Sequence, residues 1–144
     1  MVDEEILQNM DIAREALLNT NSSIVIVQYG KIWKEKKGEG IKPILETIEE
    51  MKDDLNGAVV GDKILGKASA LLCAYANVGG VFALKATKTA IAVLIRAGIP
   101  GQTETLVETI ENKKRDGMCP FEKMLSNIDS PEEAYTILKK AVKK

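Results

Sequence analysis

Three short runs of β-branched and apolar residues constrain this chain most: Ile24-Val25-Ile26-Val27, Ala58-Val59-Val60 and Val81-Phe82-Ala83-Leu84. None is long enough to be a helix. Each is bounded by turn formers: Asn21-Ser22 and Gly30, Asn56-Gly57 and Gly61, Gly79-Gly80. An unbroken apolar run of this length suits a strand buried on both faces. Between the runs, apolar residues recur at helical spacing. Residues 3–19 place Ile6, Met10, Ala13 and Leu17 on one stripe, with Asp3, Glu4 and Glu5 at the positive end of the helix dipole. A second helix starts near Pro43, a residue suited to the first helical turn, and shows Ile44, Leu45, Ile48 and Met51 on one face. A small-residue helix is predicted over 67–77 and another over 88–97.

Alternation of strand and helix from residue 57 onward requires crossover connections, hence parallel strands. A hairpin over 23–34, turning at Gly30, adds an antiparallel pair. The predicted fold class is therefore α/β: one domain, residues 1–144, with a mixed β-sheet sandwiched in three layers by helices on both faces. Glu104–Ile110 reads as a last strand. Ser130-Pro131-Glu132-Glu133 is a capping box that opens a final helix with Ala134, Tyr135, Leu138, Ala141 and Val142 on its inner face. Trp33, in the hairpin, reads as a packing residue. The helix over 88–97 is apolar nearly all round (Ala90, Ile91, Ala92, Val93, Leu94, Ile95). Such a helix is buried on several sides or lies at a subunit interface, which predicts a homo-oligomer.

Charge narrows the partners. Twenty basic against 21 acidic residues leave a net charge of -1. That balance argues against nucleic acid, whose backbone demands excess positive charge. Lys113-Lys114-Arg115 and Lys139, Lys140, Lys143 and Lys144 are basic clusters without interleaved aromatics to stack bases, so they read as solvated faces. No apolar run spans a bilayer, no secretory signal follows Met1, and the two cysteines stand apart, so a cytoplasmic protein with free thiols is expected.

The histidine count is zero. This removes Ser-His-Asp triads, Cys-His dyads and imidazole-bound zinc. Two lone cysteines cannot build a four-ligand zinc site, and no cofactor motif stands out beyond one phosphate-loop-like stretch.

That stretch is Gly61-Asp62-Lys63-Ile64-Leu65-Gly66-Lys67-Ala68, which matches G-x-x-x-x-G-K up to its last position. Read as strand, turn and helix, it would present backbone N–H groups and a positive helix end to an anion, with Lys67 adding a cation. Ala68 lacks the hydroxyl that would bind magnesium, although Ser69 is adjacent. Asp62 competes, because its carboxylate can cap the same donors from within. The candidate ligand-binding residues are Gly61, Asp62, Gly66, Lys67 and Ser69. The candidate catalytic pair is Cys119 and Glu122: Pro120 makes Cys119 the cap of a helix, and a thiol there, near Lys113, Lys114 and Arg115, has reason to ionise. The bland alternative is a small cysteine buried between Met118 and Phe121. Cys73, among Leu71, Leu72 and Ala74, reads as core.

The order of elements resembles the cytidine-deaminase fold. More closely, Gly61–Leu72 and Cys119-Pro120-Phe121-Glu122-Lys123 resemble an uncharacterised prokaryotic family, classed as a domain of unknown function in the deaminase-like superfamily. The resemblance implies the fold and no activity. Zinc deaminases carry His or Cys followed two residues later by Glu at the first core helix, and Pro-Cys-x-x-Cys at the next. This chain has Gly66-Lys67-Ala68-Ser69 and Ala86-Thr87-Lys88-Thr89-Ala90 at those places. Zinc deaminase chemistry is thereby excluded.

The sequence reading favours a binding module for a small anionic metabolite or nucleotide at Gly61–Lys67; the alternatives are a metal-independent enzyme using Cys119 or Lys67 with Asp62 or Glu122, and a catalytically silent oligomeric or regulatory protein.

Overall fold

A computed structural model describes residues 3–108 and 120–142. Helix α1 spans Glu4–Asn19 and is capped by Asp3, whose side chain accepts the Glu5 N–H at 2.9 Å. Strands β1 (Ile24–Gln28) and β2 (Lys31–Lys36) form the hairpin. Its two-residue turn puts both Tyr29 (φ 55) and Gly30 (φ 72) in the left-handed region, the conformation that matches the twist of paired strands. Helix α2 (Lys42–Met51) and a 3-10 turn (Lys52–Leu55) lead into β3 (Val59–Leu65). Then follow α3 (Lys67–Tyr75), β4 (Gly80–Thr87), α4 (Lys88–Arg96), β5 (Gly101–Val107), α5 (Pro120–Met124) and α6 (Pro131–Val142).

The strands form one five-stranded sheet in the order β2-β1-β3-β4-β5. β1 pairs antiparallel with both β2 and β3, whereas β3, β4 and β5 run parallel. The sheet is mixed and the parallel part is joined by helical crossovers, as the alternation of elements requires. Helix α1 lies on one face, where Met10, Ala13, Ala16 and Leu17 bury against Val25, Val27, Val59 and Phe82. Helices α2, α3, α4 and α6 bury a larger cluster on the opposite face, including Ile44, Leu71, Leu72, Leu94 and Leu138 against Ile26, Val60, Val81 and Ala83. Continuous burial along Ile24–Val27 reflects cover on both sides.

The predicted strand over 58–60 extends to Leu65, and this corrects the phosphate-loop reading. Gly61 and its four successors lie in β3, in parallel register with β4: Gly61 opposes Phe82, and Leu65 opposes Ala86. Backbone amides committed to a sheet ladder cannot cradle a phosphate. Gly61 has a packing reason instead. A Cβ there would lie 2.9 Å from the Ala13 Cβ and 3.2 Å from the Leu17 Cδ1, so the missing side chain lets α1 approach the sheet.

Smaller corrections follow from the same accounting. The strand expected over 81–84 runs from Gly80 to Thr87, and the one expected from Glu104 starts at Gly101. The helix expected to reach residue 77 ends at Tyr75. Trp33 is not a packing residue: it is 58% exposed, because β2 is the sheet's outer strand and α1 lies chiefly over β1, β3 and β4. Its indole N–H donates to the Gln28 carbonyl at 2.8 Å, and its ring meets Tyr29 edge-on. Helix α4 buries Ala90, Val93 and Leu94, while Ile95 is 72% exposed, so an all-apolar sequence here covers one face and leaves another open.

Candidate functional site

In open α/β sheets, ligands bind beyond the carboxyl ends of parallel strands, where the following helices begin. Here that edge is formed by Leu65-Gly66 leading into α3 and by Thr87 leading into α4. Thr87 caps its own helix, accepting the Ala90 N–H at 3.0 Å. Gly66 has no side chain with which to cap α3, leaving the first amides of that helix in need of an acceptor from elsewhere.

Glu122 supplies it. One carboxylate oxygen accepts the Lys67 N–H at 2.7 Å and the other accepts the Ala68 N–H at 2.9 Å. A carboxylate bridging two consecutive amides at the positive end of a helix is a favourable anion arrangement. The expectation that Asp62 caps these donors is thus corrected: the internal carboxylate comes from α5, 55 residues later in the chain. Nothing in α3 itself announces a partner so distant.

Lys67 turns away from the helix start. Its ammonium donates to the Ser126 carbonyl at 3.3 Å and pairs with Asp129 Oδ1 at 3.2 Å. Arg96 approaches the same Asp129 oxygen at 3.6 Å. The Lys67 side chain is nearly buried and reaches out to Asp129, which is 66% exposed, so the pair binds the turn between α5 and α6 to α3 at the edge of the fold. The segment 120–129 therefore docks through Glu122 on α3 amides and through Lys67 on its own backbone, with Leu125 fully buried beneath.

Asp62 sits one layer deeper, on the side of β3 that faces α3. Its carboxyl accepts the Ile64 N–H at 3.1 Å and shares a hydrogen bond with Ser69. Burial pushes its pKa up to about 8, against the lowering effect of those hydrogen bonds, so the group is largely protonated at neutral pH. Burial likewise pushes the Cys73 thiol upward, with the Asp62 charge adding in the same direction. Cys73 is a core residue, as expected. Asp62 and Ser69 are together, as the sequence reading grouped them, but in the interior rather than around a ligand. Cys119, Lys113, Lys114 and Arg115 lie outside the described residues.

The starts of α3 and α4 carry Lys67, Ser69, Lys88 and Thr89, and no group of three metal-ligating side chains occurs among the described residues. No helix among them is long and apolar enough to cross a membrane.

Residues 12–142 match the domain of unknown function DUF1893, also named TM1506. The chain belongs to this family. Among solved structures, a DUF1893 family protein from Thermotoga maritima is 26% identical, with a TM-score of 0.86, over 98% of this chain and 92% of that one. Two forms of Acinetobacter baumannii RibD are more distant, at 16% and 17% identity with TM-scores of 0.45 and 0.46, over 68% and 69% of this chain and 33% of RibD. No curated protein matches. The DUF1893 domain here is a mixed α/β sheet in three layers, and the segments that carried the resemblance on sequence, Gly61–Leu72 and Pro120–Lys123, are the ones its Glu122 contact joins.

Proposed function

We propose that this chain is a catalytically silent assembly or regulatory domain, in which the helix start that would hold an anionic ligand is closed by the chain's own Glu122. The observation that carries this reading is the carboxylate of Glu122 on the amides of Lys67 and Ala68. Supporting it, the nearly buried Lys67 side chain is already engaged by Asp129 and the Ser126 carbonyl, and Asp62 is buried as a largely neutral acid. A nucleophile or ligand cation would need to be accessible and uncommitted.

A second reading is favoured by the same contact. Glu122 occupies the two amides as an external carboxylate or phosphate would, and it is only part-buried. If it exchanges, the site takes a small anionic metabolite, with Gly66, Lys67 and Ser69 around it. A thermal-shift series with inorganic phosphate, citrate and nucleotides separates the two. The silent domain shows no rise in Tm beyond a sulfate control of equal ionic strength. A saturable rise with one of these anions, abolished by Lys67→Ala in a protein that still unfolds cooperatively, establishes the binding module and overturns the first reading.

A further inference from the structure

Residues 120–129 lie against the start of α3 and are held there differently from the rest of the fold. Leu125 is the single buried residue among them. Phe121 and Ile128 are half-buried, and the others apart from Glu122 are exposed. Helix α5, within this segment, has 5 residues and buries none of them, too short a helix to persist on its own. The ties to the helices beneath are charged. Glu122 accepts the Lys67 and Ala68 amides, the Lys67 ammonium donates to the Ser126 carbonyl, and Asp129 draws both Lys67, at 3.2 Å, and Arg96, at 3.6 Å. Glu122 is part-buried and Asp129 exposed, so salt reaches these contacts.

The elements on either side hold without them. Helix α3 buries Ala68, Ala70, Leu71, Leu72 and Cys73, and its first internal bond, from the Ala70 N–H to the Gly66 carbonyl at 3.0 Å, owes nothing to the segment. Helix α6 starts under its own cap. Ser130 Oγ accepts the Glu133 N–H at 3.3 Å, the Ser130 carbonyl accepts the Ala134 N–H at 2.9 Å, and Ala134 and Leu138 are buried. A unit with one buried anchor, ionic ties and an independently capped neighbour has the features of a local opening element.

We propose that residues 120–129 form a strap that lifts from α3 as a unit while the sheet, α3 and α6 stay folded, so that the start of α3 alternates between a closed and an open state. This rests on the reading of that start as closed by Glu122, and makes the closure reversible. In the open state α5 melts, the Lys67 and Ala68 amides lose the acceptor they have no replacement for within the helix, and the Lys67 ammonium is released at the carboxyl edge of the parallel strands. Ionic strength sets the balance between the two states, because charge holds the strap down.

Native-state hydrogen exchange on the intact protein, followed by NMR, tests this. The Lys67 and Ala68 amides report the Glu122 contact, and the Ile128 amide, which donates to the Leu125 carbonyl at 3.0 Å, reports the strap's own backbone. The Val81 amide, donating to the Pro100 carbonyl at 2.9 Å, reports the sheet. Lys67, Ala68 and Ile128 are expected to share one protection factor, at least about tenfold below that of Val81. Raising sodium chloride from millimolar to molar concentration should lower the shared value. Glu122→Gln, which gives up the charge but keeps one acceptor oxygen, should lower it about tenfold at all three amides together. Protection of the three equal to that of Val81 overturns the proposal, since the strap then leaves only when the whole fold does. A variant that speeds Lys67 and Ala68 without Ile128 also overturns it, because the Glu122 side chain then swings away alone. So does a shared value indifferent to salt. Each of these failures leaves the start of α3 closed by Glu122, a reading that stands or falls on the anion series.

Discussion

The Glu122 carboxylate lies 2.7 Å from the Lys67 amide and 2.9 Å from that of Ala68, giving α3 a cap it lacks in its own sequence. Helices usually take a cap from the residue before them, and Gly66 has none to give. The contact ties the stability of α3 to the docking of α5, elements that are far apart along the chain.

Glu122→Ala removes an acceptor shared by two amides, and the fold should lose roughly 1–2 kcal/mol, the upper range for an N-cap. Glu122→Gln keeps one oxygen as acceptor and loses the charge at the helix dipole, so it should fall between the two. Urea denaturation of the three proteins checks this order. Equal stabilities would mean that the contact does not bear on folding.

Lys67→Ala should destabilise by about 1–2 kcal/mol, chiefly through the lost packing of its nearly buried stem and the lost hydrogen bond to the Ser126 carbonyl, because Asp129 is 66% exposed and water takes over its charge. Lys67→Met keeps most of the side-chain volume and should cost less than Lys67→Ala. If both variants match the parent protein in denaturation, the ion pair is a surface bystander.

How much of this was legible in the residues depends on how far each partner stands in the chain. The hairpin, α1, α4 and the Ser130 cap follow from local pattern, and each appears where expected; Ser130 Oγ accepts the Glu133 N–H at 3.3 Å. The stretch Gly61–Gly66 misled, because a glycine needed for close approach to α1 looks the same in sequence as a glycine needed for a turn. Neither Lys63, a polar residue, nor buried Asp62 advertises a strand, yet both lie in β3. The site itself was half visible. Asp62, Gly66, Lys67, Ser69 and Glu122 were all singled out, but which carboxylate caps α3 is decided by tertiary packing. The roles of Ser126 and Asp129 carried no local signal at all.

Gly61→Ala should destabilise by roughly 1–3 kcal/mol, the cost of overpacking, since its Cβ would press on the Ala13 Cβ at 2.9 Å. Ala13→Gly alone should cost about 1 kcal/mol through helix propensity. The double variant should then be more stable than the sum of the two losses allows. A coupling near zero in the double-mutant cycle would place the source of the Gly61 requirement elsewhere.

The pH dependence of stability should carry the signature of Asp62. Its folded pKa, about 8, is raised above the ordinary value of 3.8, chiefly by burial. The folded state therefore holds a proton that the unfolded state has released throughout the interval between them. Stability from this group is fully present below about pH 4 and declines as pH rises towards 8, with a slope of at most about 1.4 kcal/mol per pH unit, then levels off. Other carboxylates work against the trend at the acid end, where Glu50, held below its usual range by hydrogen bonds from Lys34 and Lys36, loses those partners on protonation. The useful window is therefore pH 5.5 to 8. Asp62→Asn keeps the size and the hydrogen-bonding capacity and removes the titration, so its stability should be flatter across that window, and its deficit relative to the parent should shrink or reverse as pH rises. Guanidinium denaturation of the pair at half-unit steps gives the slopes. Parallel curves for the parent protein and Asp62→Asn would show that Asp62 does not release its proton on unfolding in this range, and that its carboxyl is ionised in the folded protein.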